Sequence, residues 1–243
     1  MVVTHNEEMH LSDCLQALVF ADELVVVLDD CTDNSKIIAS KFTKNLIEGN
    51  WELEGDRRNA GIMACHSDWI LEVDSDERVS NSLANEIKAA IENTEAGYFL
   101  IPFDNYVGKK LVRYGWGASW GVSAAPRLFR KGYKKWGRQR IHPSLELTGP
   151  KKELKNRMVH LVDENISDMI QRLDRYTSAK AADLRDSQDI GSFSHNIRRI
   201  FSRFWKCYVA RQGYKEGAYG FLNALFAGLY PILSYLKARL EKN

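Results

Sequence analysis

Between residues 1 and 104, short apolar runs alternate with segments whose apolar residues recur at helical spacing. The predicted strands are Val2-Val3-Thr4, Leu24 to Leu28, Leu46-Ile47, Trp69 to Val73 and Tyr98 to Pro102. The predicted helices place Leu11, Leu15 and Leu18, then Ile37, Ile38 and Phe42, then Leu83, Ile87 and Ile91 on one face each. This alternation predicts an α/β fold, with a doubly wound, mostly parallel sheet and helices on both faces.

Polar residues follow three of the predicted strands. His5-Asn6-Glu7-Glu8 follows the first strand, Asp29-Asp30 the second, and Asp74-Ser75-Asp76 the strand that begins at Trp69. In open α/β sheets, ligands bind beyond the carboxyl ends of the strands. Three clusters at the same edge therefore predict a binding site.

The pair Asp74 and Asp76 has the spacing of a cation site. Side chains two residues apart in an extended segment point the same way, roughly 6–7 Å apart. Two carboxylates suit Mg²⁺ or Mn²⁺, which complete their shells with phosphate and water. A calcium loop of the EF-hand type is excluded, because its sixth and twelfth positions would be Val79 and Asn85. The alternative is an acidic helix start in which Asp76 and Glu77 favour the helix dipole.

Arg57-Arg58-Asn59 precedes a predicted helix of small residues that ends near Cys65. Guanidinium groups and free backbone N–H groups at a helix start suit phosphate oxygens. The alternative is a solvated helix start.

The remaining chain divides in two. From 105 to 162, glycine, tryptophan and arginine are dense, which favours an acceptor-facing lobe of the domain formed by 1–104. From 163 to 243 we expect a helical extension. Residues 191–243 carry nine Lys or Arg and two acids, a balance of +7 within a chain of net charge +2.

The N-terminal motifs together resemble the nucleotide-sugar half of the family 2 glycosyltransferases, which have the GT-A fold. In order they are VVTHNEE, VVVLDDCTDNS, RRNAG and DWILEVDSDE. Later stretches, PRLFRKG, Ile141-His142 and LDRYT, resemble the bacterial lipopolysaccharide core β-glucosyltransferase-like branch.

The resemblance implies roles for particular residues. Asn6 and Glu7 would line the base or ribose pocket, Asp29 would accept the uracil N–H, and Asp30 or Asp33 would support that loop. Arg58 and Asn59 would lie near the diphosphate. Asp74 would face the ribose or diphosphate and share the metal with Asp76. The implied reaction is inverting transfer from a UDP-sugar to a lipopolysaccharide core or other surface glycan, assisted by Mg²⁺ or Mn²⁺.

The general base is where the chain departs from the family. Many relatives have His-Glu where this chain has His142-Pro143. His142 is the first candidate, Glu146 the second and Asp104 the third, and a structural His142 is an alternative. His160 is expected to be structural, with metal ligation as an alternative. Trp116, Trp120 and Trp136 could stack on a sugar or simply pack in a core.

The four cysteines lack metal-type spacing, and Met1 leads directly into the first predicted strand. We therefore expect a reduced, cytoplasmic protein without a signal peptide. The basic and aromatic tail predicts a peripheral contact with the anionic inner face of the cytoplasmic membrane. A membrane span within 217–235 and a helical cap on the domain or in a dimer are the alternatives. We expect no nucleic-acid partner, since no such module is recognisable.

Two other functions remain compatible with the sequence. One is a transferase with a different donor and acceptor. The other is a catalytically inactive GT-A-like module that binds nucleotide or sugar.

Overall fold

A computed structural model describes residues 1–117, 120–140 and 143–241 of the chain. The chain forms two compact units. Unit 1 contains Met1–Phe103 and Ala124–His160, and unit 2 contains Asp104–Ser123 and Leu161–Asn243. Residues 105–123, predicted within the acceptor-facing lobe, thus cluster with the C-terminal helices.

Unit 1 is built on a parallel sheet with the strand order β3-β2-β1-β5. Its strands are β1 (Val2–Thr4), β2 (Val26–Asp29), β3 (Leu46–Gly49) and β5 (Val73–Asp74). Its helices are α1 (Glu8–Gln16), α2 (Ser35–Ala39), α3 (Glu54–Ala64) and α4 (Asn81–Ile91). The three first strands and the alternation with helices are as predicted from the sequence.

Helices cover both faces of this sheet. Val2 and Val26 point to one face, where they pack with Leu11 of α1 and Leu83 of α4. The alternate strand residues, including Val3, Val25 and Val27, pack on the other face with Ile62 of α3. Because successive strand side chains point to opposite faces, an uninterrupted apolar run is what a strand buried on both sides requires.

A second, mixed sheet has the order β4-β9-β7-β13-β6, and β8 and β12 also pair with β7. Its strands are β4 (Trp69–Leu71), β6 (Glu77–Arg78), β7 (Tyr98–Val107), β8 (Lys110–Val112), β9 (Ala124–Arg130), β12 (Lys151–Glu153) and β13 (Met158–Asp163). Strands β10 (Lys134–Trp136) and β11 (Leu145–Leu147) form an antiparallel pair. The segment Tyr98 to Pro102, predicted as a further parallel strand, is part of β7 and pairs antiparallel with β9.

The predicted strand from Trp69 to Val73 is divided at Glu72. β4 pairs antiparallel with β9, whereas β5 pairs parallel with β1. Glu72 lies between them, and its backbone N–H donates to Arg127 O at 2.8 Å. One apolar run thus contributes to both sheets.

Unit 2 is centred on three helices, α5 (Ile166–Asp186), α6 (Phe193–Trp205) and α7 (Ala218–Leu240). α6 continues into a π-helical turn, Lys206–Ala210, and a 3₁₀ turn, Gly213–Glu216, precedes α7. Trp116 and Trp120 are buried with Met169, Ala224 and Ala227 in the core of this unit. Of the two alternatives for Trp116 and Trp120, packing in a core is the one observed, since 3% and 0% of their surfaces are exposed.

Candidate functional site

The loops that follow β1 and β2 are joined at the carboxyl edge of the parallel sheet. Asn6 adopts a left-handed backbone conformation with φ 54°. Its side-chain oxygen accepts from the backbone N–H groups of Thr32 at 2.8 Å and Asp33 at 3.3 Å. The backbone N–H of Glu7 donates to Ser35 Oγ at 3.1 Å. Asn6 thus shapes the predicted nucleotide pocket, and its contact with a base or ribose stays a prediction.

Asp29 and Asp30 differ sharply in burial. Asp29 is 6% exposed, and its carboxylate accepts from Trp51 N at 3.0 Å and from Arg57 Nη1 at 2.7 Å. Asp30 is exposed, with φ 47°. Any ligand N–H that reaches Asp29 must share its carboxylate with Arg57, so Arg57 joins the candidate site beside the predicted Asp29.

Arg58 and Asn59 lie inside α3, which begins at Glu54, rather than before a helix. Arg58 is buried, and its Nη1 lies 2.7 Å from Glu72 Oε1 and 2.8 Å from Asp74 Oδ1. Its guanidinium also lies 4.9 Å from the centre of the Trp136 ring. Asn59 exchanges hydrogen bonds with the backbone of Trp136 at 2.9 and 3.0 Å. These contacts fix α3 against β10, and the predicted proximity of both residues to a diphosphate is untested.

Glu72 is a fully buried carboxylate that the sequence prediction did not include. Its partners are Arg58, Arg127 Nη1 at 3.2 Å, Lys134 Nζ at 2.9 Å and Trp136 Nε1 at 3.1 Å. Burial alone would raise the pKa of Glu72, but the charges of Lys134, Arg58 and Arg127 lower it to about 2. The only indication of this role in the sequence was that Glu72 is the single charged residue within the apolar run WILEV.

Asp74 and Glu77 share the guanidinium of Arg127. Asp74 is ion-paired with Arg58 and Arg127, while Glu77 Oε1 lies 2.5 Å from Arg127 Nη2. Glu77 also accepts from the backbone N–H of Asp74 at 2.9 Å. Glu77 is buried in β6 and α4 begins only at Asn81, capped by Ser80, so the interpretation of Glu77 as a helix start is wrong. Burial raises the pKa of Glu77 to about 7 despite the opposing charge of Arg127.

Asp76 faces His160, a residue of β13 that was expected to be structural. His160 Nε2 lies 3.5 Å from Asp76 Oδ2. Asp76 Oδ1 is buried and has no hydrogen-bond partner among the residues described. An unsatisfied buried carboxylate oxygen is costly unless something binds it. A divalent cation would satisfy this oxygen, and the His160 imidazole lies close enough to be a second ligand.

The candidate metal ligands form a pair rather than a larger cluster. Within residues 1–117, 120–140 and 143–241, no group of three or more His, Cys, Asp or Glu side chains is arranged to hold a metal. Mg²⁺ and similar cations need few protein ligands when phosphates and waters complete the shell, so Asp76 with His160 is a sufficient donor set. Both oxygens of Asp74 are engaged by arginines, and its predicted share in the metal stays untested.

The structure leaves the predicted catalytic residues untested. His142 lies outside the described residues. Glu146 is exposed on β11, opposite Lys135 of β10. Asp104, the third candidate, belongs to unit 2 and lies 3.2 Å from Arg113. The identity of the base therefore stays a prediction.

Comparison with known proteins supports the resemblance seen in the motifs. The model for glycosyl transferase family 2 matches residues 1–144. An uncharacterized glycosyltransferase of Rickettsia prowazekii (strain Madrid E) is 23% identical over 98% of this chain and 85% of its own length. The lipopolysaccharide core biosynthesis glycosyltransferase LpsC of Rhizobium meliloti (strain 1021) is 20% identical over 97% of this chain and 89% of its own length.

Two solved structures share the fold. TarS 1-349 of S. aureus, in complex with UDP-GlcNAc, has a TM-score of 0.53 at 15% identity, over 95% of this chain and 80% of that one. The mannosyltransferase PcManGT of Pyrobaculum calidifontis, in complex with GDP-Man and Mn²⁺, has a TM-score of 0.53 at 14% identity, over 100% of this chain and 86% of that one. The fold is therefore of the GT-A type. With more than half of its length matched by the family model, the chain belongs to glycosyl transferase family 2 and is a glycosyltransferase.

Proposed function

We propose that this glycosyltransferase moves a sugar from a UDP-sugar to a lipopolysaccharide core or other surface glycan, with inversion and with help from Mg²⁺ or Mn²⁺. The observation that carries the proposal is the pair of Asp76 and His160. Asp76 follows β5, whose partner β1 ends at the loop of Asn6, and His160 of β13 lies beside it. A cation at this pair would lie at the edge where α/β sheets bind nucleotides.

The donor and acceptor classes are supported by the relatives. TarS was solved with UDP-GlcNAc, and PcManGT with GDP-Man and Mn²⁺. LpsC is named for lipopolysaccharide core biosynthesis. We assign a uridine donor because Asp29 carries a carboxylate acceptor for a base N–H at the end of β2. Arg57 pairs with Asp29, so it would have to move away or share the Asp29 carboxylate with the base.

The metal would be held by Asp76 and His160. Bound there with a sugar diphosphate, it would act as a Lewis acid that stabilises the charge of the leaving nucleoside diphosphate. The protein's own part is to fix the ligands. Arg127 and Arg58 hold Asp74, and Glu77 accepts from the Asp74 backbone, so the segment leading to Asp76 is rigidly placed.

Inverting transfer also requires a base to take the proton of the acceptor hydroxyl as that oxygen attacks the anomeric carbon. We assign this role first to His142 and second to Glu146. Removing a general base lowers kcat by about 10²- to 10⁴-fold, with UDP binding retained. We expect this result for His142→Asn, while loss of turnover only in Glu146→Gln would assign the base to Glu146.

Titration calorimetry with UDP, with and without Mn²⁺, tests the site. We expect Mn²⁺ to strengthen UDP binding, and Asp76→Asn and His160→Asn each to reduce that gain at least tenfold. Glu92→Gln, which alters an exposed acid after α4, is the matched control and should bind as the unmodified chain does. UDP binding that ignores Mn²⁺ and both substitutions would refute the metal assignment.

A donor screen then tests the reaction by measuring UDP release from a panel of UDP-sugars with glycan acceptors. Release that depends on acceptor and Mn²⁺ is the expected result. Binding only to a non-uridine donor would refute the assignment of Asp29. Mn²⁺-dependent UDP binding without turnover on any acceptor would instead favour an inactive binding module.

A further inference from the structure

Helix α6 of unit 2 exposes a line of large apolar side chains. Phe201 is 72% exposed, Trp205 64% and Val209 36%. These residues are spaced four apart, so they lie along one side of α6 and the π-helical turn that continues it. Single exposed apolar residues are ordinary on a protein surface, but a continuous line of them indicates a binding surface.

Further aromatic rings support this line from the start of α7. The ring centres of Phe204 and Phe221 are 5.7 Å apart, and those of Tyr208 and Phe221 are 6.2 Å apart. Tyr214 lies 6.4 Å from Tyr208 and, like Phe221, is about half exposed. We call Phe201, Trp205, Val209, Tyr214 and Phe221 the aromatic face. Phe221 and Tyr214 are held by packing on Phe204 and Tyr208, so these two rings would lose little conformational entropy on binding.

The charges around the aromatic face are positive. Arg198 and Lys206 are exposed on the same helix and turn. Neither pairs with a carboxylate anywhere in the described parts of the chain. No Asp or Glu occurs between Asp189 and Glu216. Glu216 itself accepts from the backbone N–H groups of Arg113 and Tyr114, at 2.8 and 3.0 Å. A partner for this surface must therefore combine apolar material with negative charge.

An anionic bilayer has that combination. Amphipathic helices with aromatic residues on one side and Lys or Arg beside them lie in the plane of the membrane interface. Trp and Tyr are the residues most enriched at that depth. RNA would match the charge but offers no apolar layer for Phe201 and Val209.

Helix α7 is not the element that would enter the membrane. It is the one helix among the described residues that is long and apolar enough to span, but 61% of its most apolar window is buried in the structure. It packs against both α5 and α6. The most apolar helix of this unit is therefore largely buried, whereas α6 exposes its line of apolar side chains.

We propose that the aromatic face, with Arg198 and Lys206, docks unit 2 on the interface of an anionic phospholipid bilayer, with α6 in the plane of the membrane. Phe201 and Trp205 insert between the headgroups. Arg198 and Lys206 bind lipid phosphates, and α7 stays within the protein. This docking does not depend on the donor, the metal or the acceptor proposed above.

Vesicle co-sedimentation of the full chain tests the proposal. We compare vesicles of phosphatidylcholine alone with vesicles that also contain phosphatidylglycerol. Binding should require phosphatidylglycerol and weaken with added salt. The double variant Phe201→Ser/Trp205→Ser should lose binding. Arg198→Glu/Lys206→Glu should reduce the partition coefficient by more than roughly 25-fold, since the loss of each basic side chain near an anionic surface removes about fivefold and each new carboxylate is repelled in addition.

Matched controls come from unit 1. Ile37→Ser/Met63→Ser removes apolar side chains that are 60% and 79% exposed outside the aromatic face. Lys41→Glu/Lys44→Glu makes the same change in net charge on exposed lysines. Both should bind as the unmodified chain does. Equal thermal unfolding of all variants should show that the surface changes leave the fold intact.

Three results would overturn the proposal. The first is absence of binding to phosphatidylglycerol vesicles. The second is binding that the charge-reversal control reduces as much as Arg198→Glu/Lys206→Glu does. The third is self-association without lipid, seen by sedimentation velocity and abolished by Phe201→Ser/Trp205→Ser, which would make the face an interface between copies of this chain.

Discussion

At the scale of single residues, Glu72 is the side chain around which the charged cluster is organised. It is fully buried and is contacted by two arginines, a lysine and an indole N–H. Burial lowers the pKa of Lys134 to about 8, although the charge of Glu72 opposes this change. The charges of three buried cationic side chains are thus partly compensated by one carboxylate.

Glu72→Gln should destabilise the protein by about 3–5 kcal/mol, because breaking a buried ion pair leaves its partner charges uncompensated. Urea unfolding at neutral pH measures the change. Glu92→Gln is the control for loss of one exposed carboxylate and should change the free energy of unfolding little. Equal stability of Glu72→Gln and the unmodified chain would show that the cluster does not depend on this charge.

The sequence identified some residues of the candidate site and missed others. Asp74 and Asp76 were recognisable from their spacing at a strand end, and Asn6 and Asp29 from their place after β1 and β2. Arg127 was not assigned to the site, and His160 was given metal ligation only as an alternative. They lie 53 and 84 positions from the carboxylates Asp74 and Asp76 that they contact. Periodicity describes neighbours along an element, and these pairs form only when β9 and β13 take their places in the second sheet.

At the scale of elements, the packing of α6 on α7 depends on a glycine. A Cβ atom on Gly228 would lie 2.8 Å from the backbone oxygen of Ile200 in α6. Backbone cannot move aside as a flexible side chain can, so the two helices approach this closely only because Gly228 has no side chain.

Gly228→Val should destabilise unit 2 by about 1–3 kcal/mol, the usual cost of forcing extra atoms into a packed interface. Leu240→Val places the same β-branched residue at the exposed end of α7, where 74% of the side chain is accessible, and should have little effect. Thermal unfolding followed by circular dichroism compares the two. A Gly228→Val variant as stable as the control would contradict the close approach.

At the scale of the whole molecule, acid lowers the folding stability through carboxylates whose pKa values are lowered in the folded state. The pKa of Glu72 is lowered from 4.5 to about 2, and those of Asp74, Asp33 and Glu86 are also lowered. Between pH 2 and 4.5 the unfolded chain binds more protons at Glu72 than the folded chain does, so stability rises with pH there. This contribution is complete above pH 4.5 and is lost as the pH falls towards 2.

The urea midpoint should therefore fall steeply from pH 4.5 to 3. Between pH 5 and 7 these lowered groups leave it constant, whereas the raised pKa of Glu77 makes stability fall as the pH rises. Glu72 alone accounts for roughly 3 kcal/mol of the full loss. The Glu72→Gln variant should show a shallower decline, since it lacks the titrating group. A midpoint for the unmodified chain that stays constant down to pH 3 would contradict the lowered pKa values.

The sequence by itself determined the parallel sheet of unit 1, the helices on both its faces and the edge where polar side chains gather. These features follow from local periodicity, which each segment carries independently of the rest. The tertiary structure alone decided how Trp69 to Val73 is shared between two sheets, that Glu72 and Glu77 are buried, and that Asp76 meets His160. It also decided that α7 is packed while the aromatic face of α6 is exposed. Such outcomes depend on which segments distant in the chain become neighbours, because burial and ion pairing are properties of the assembled fold.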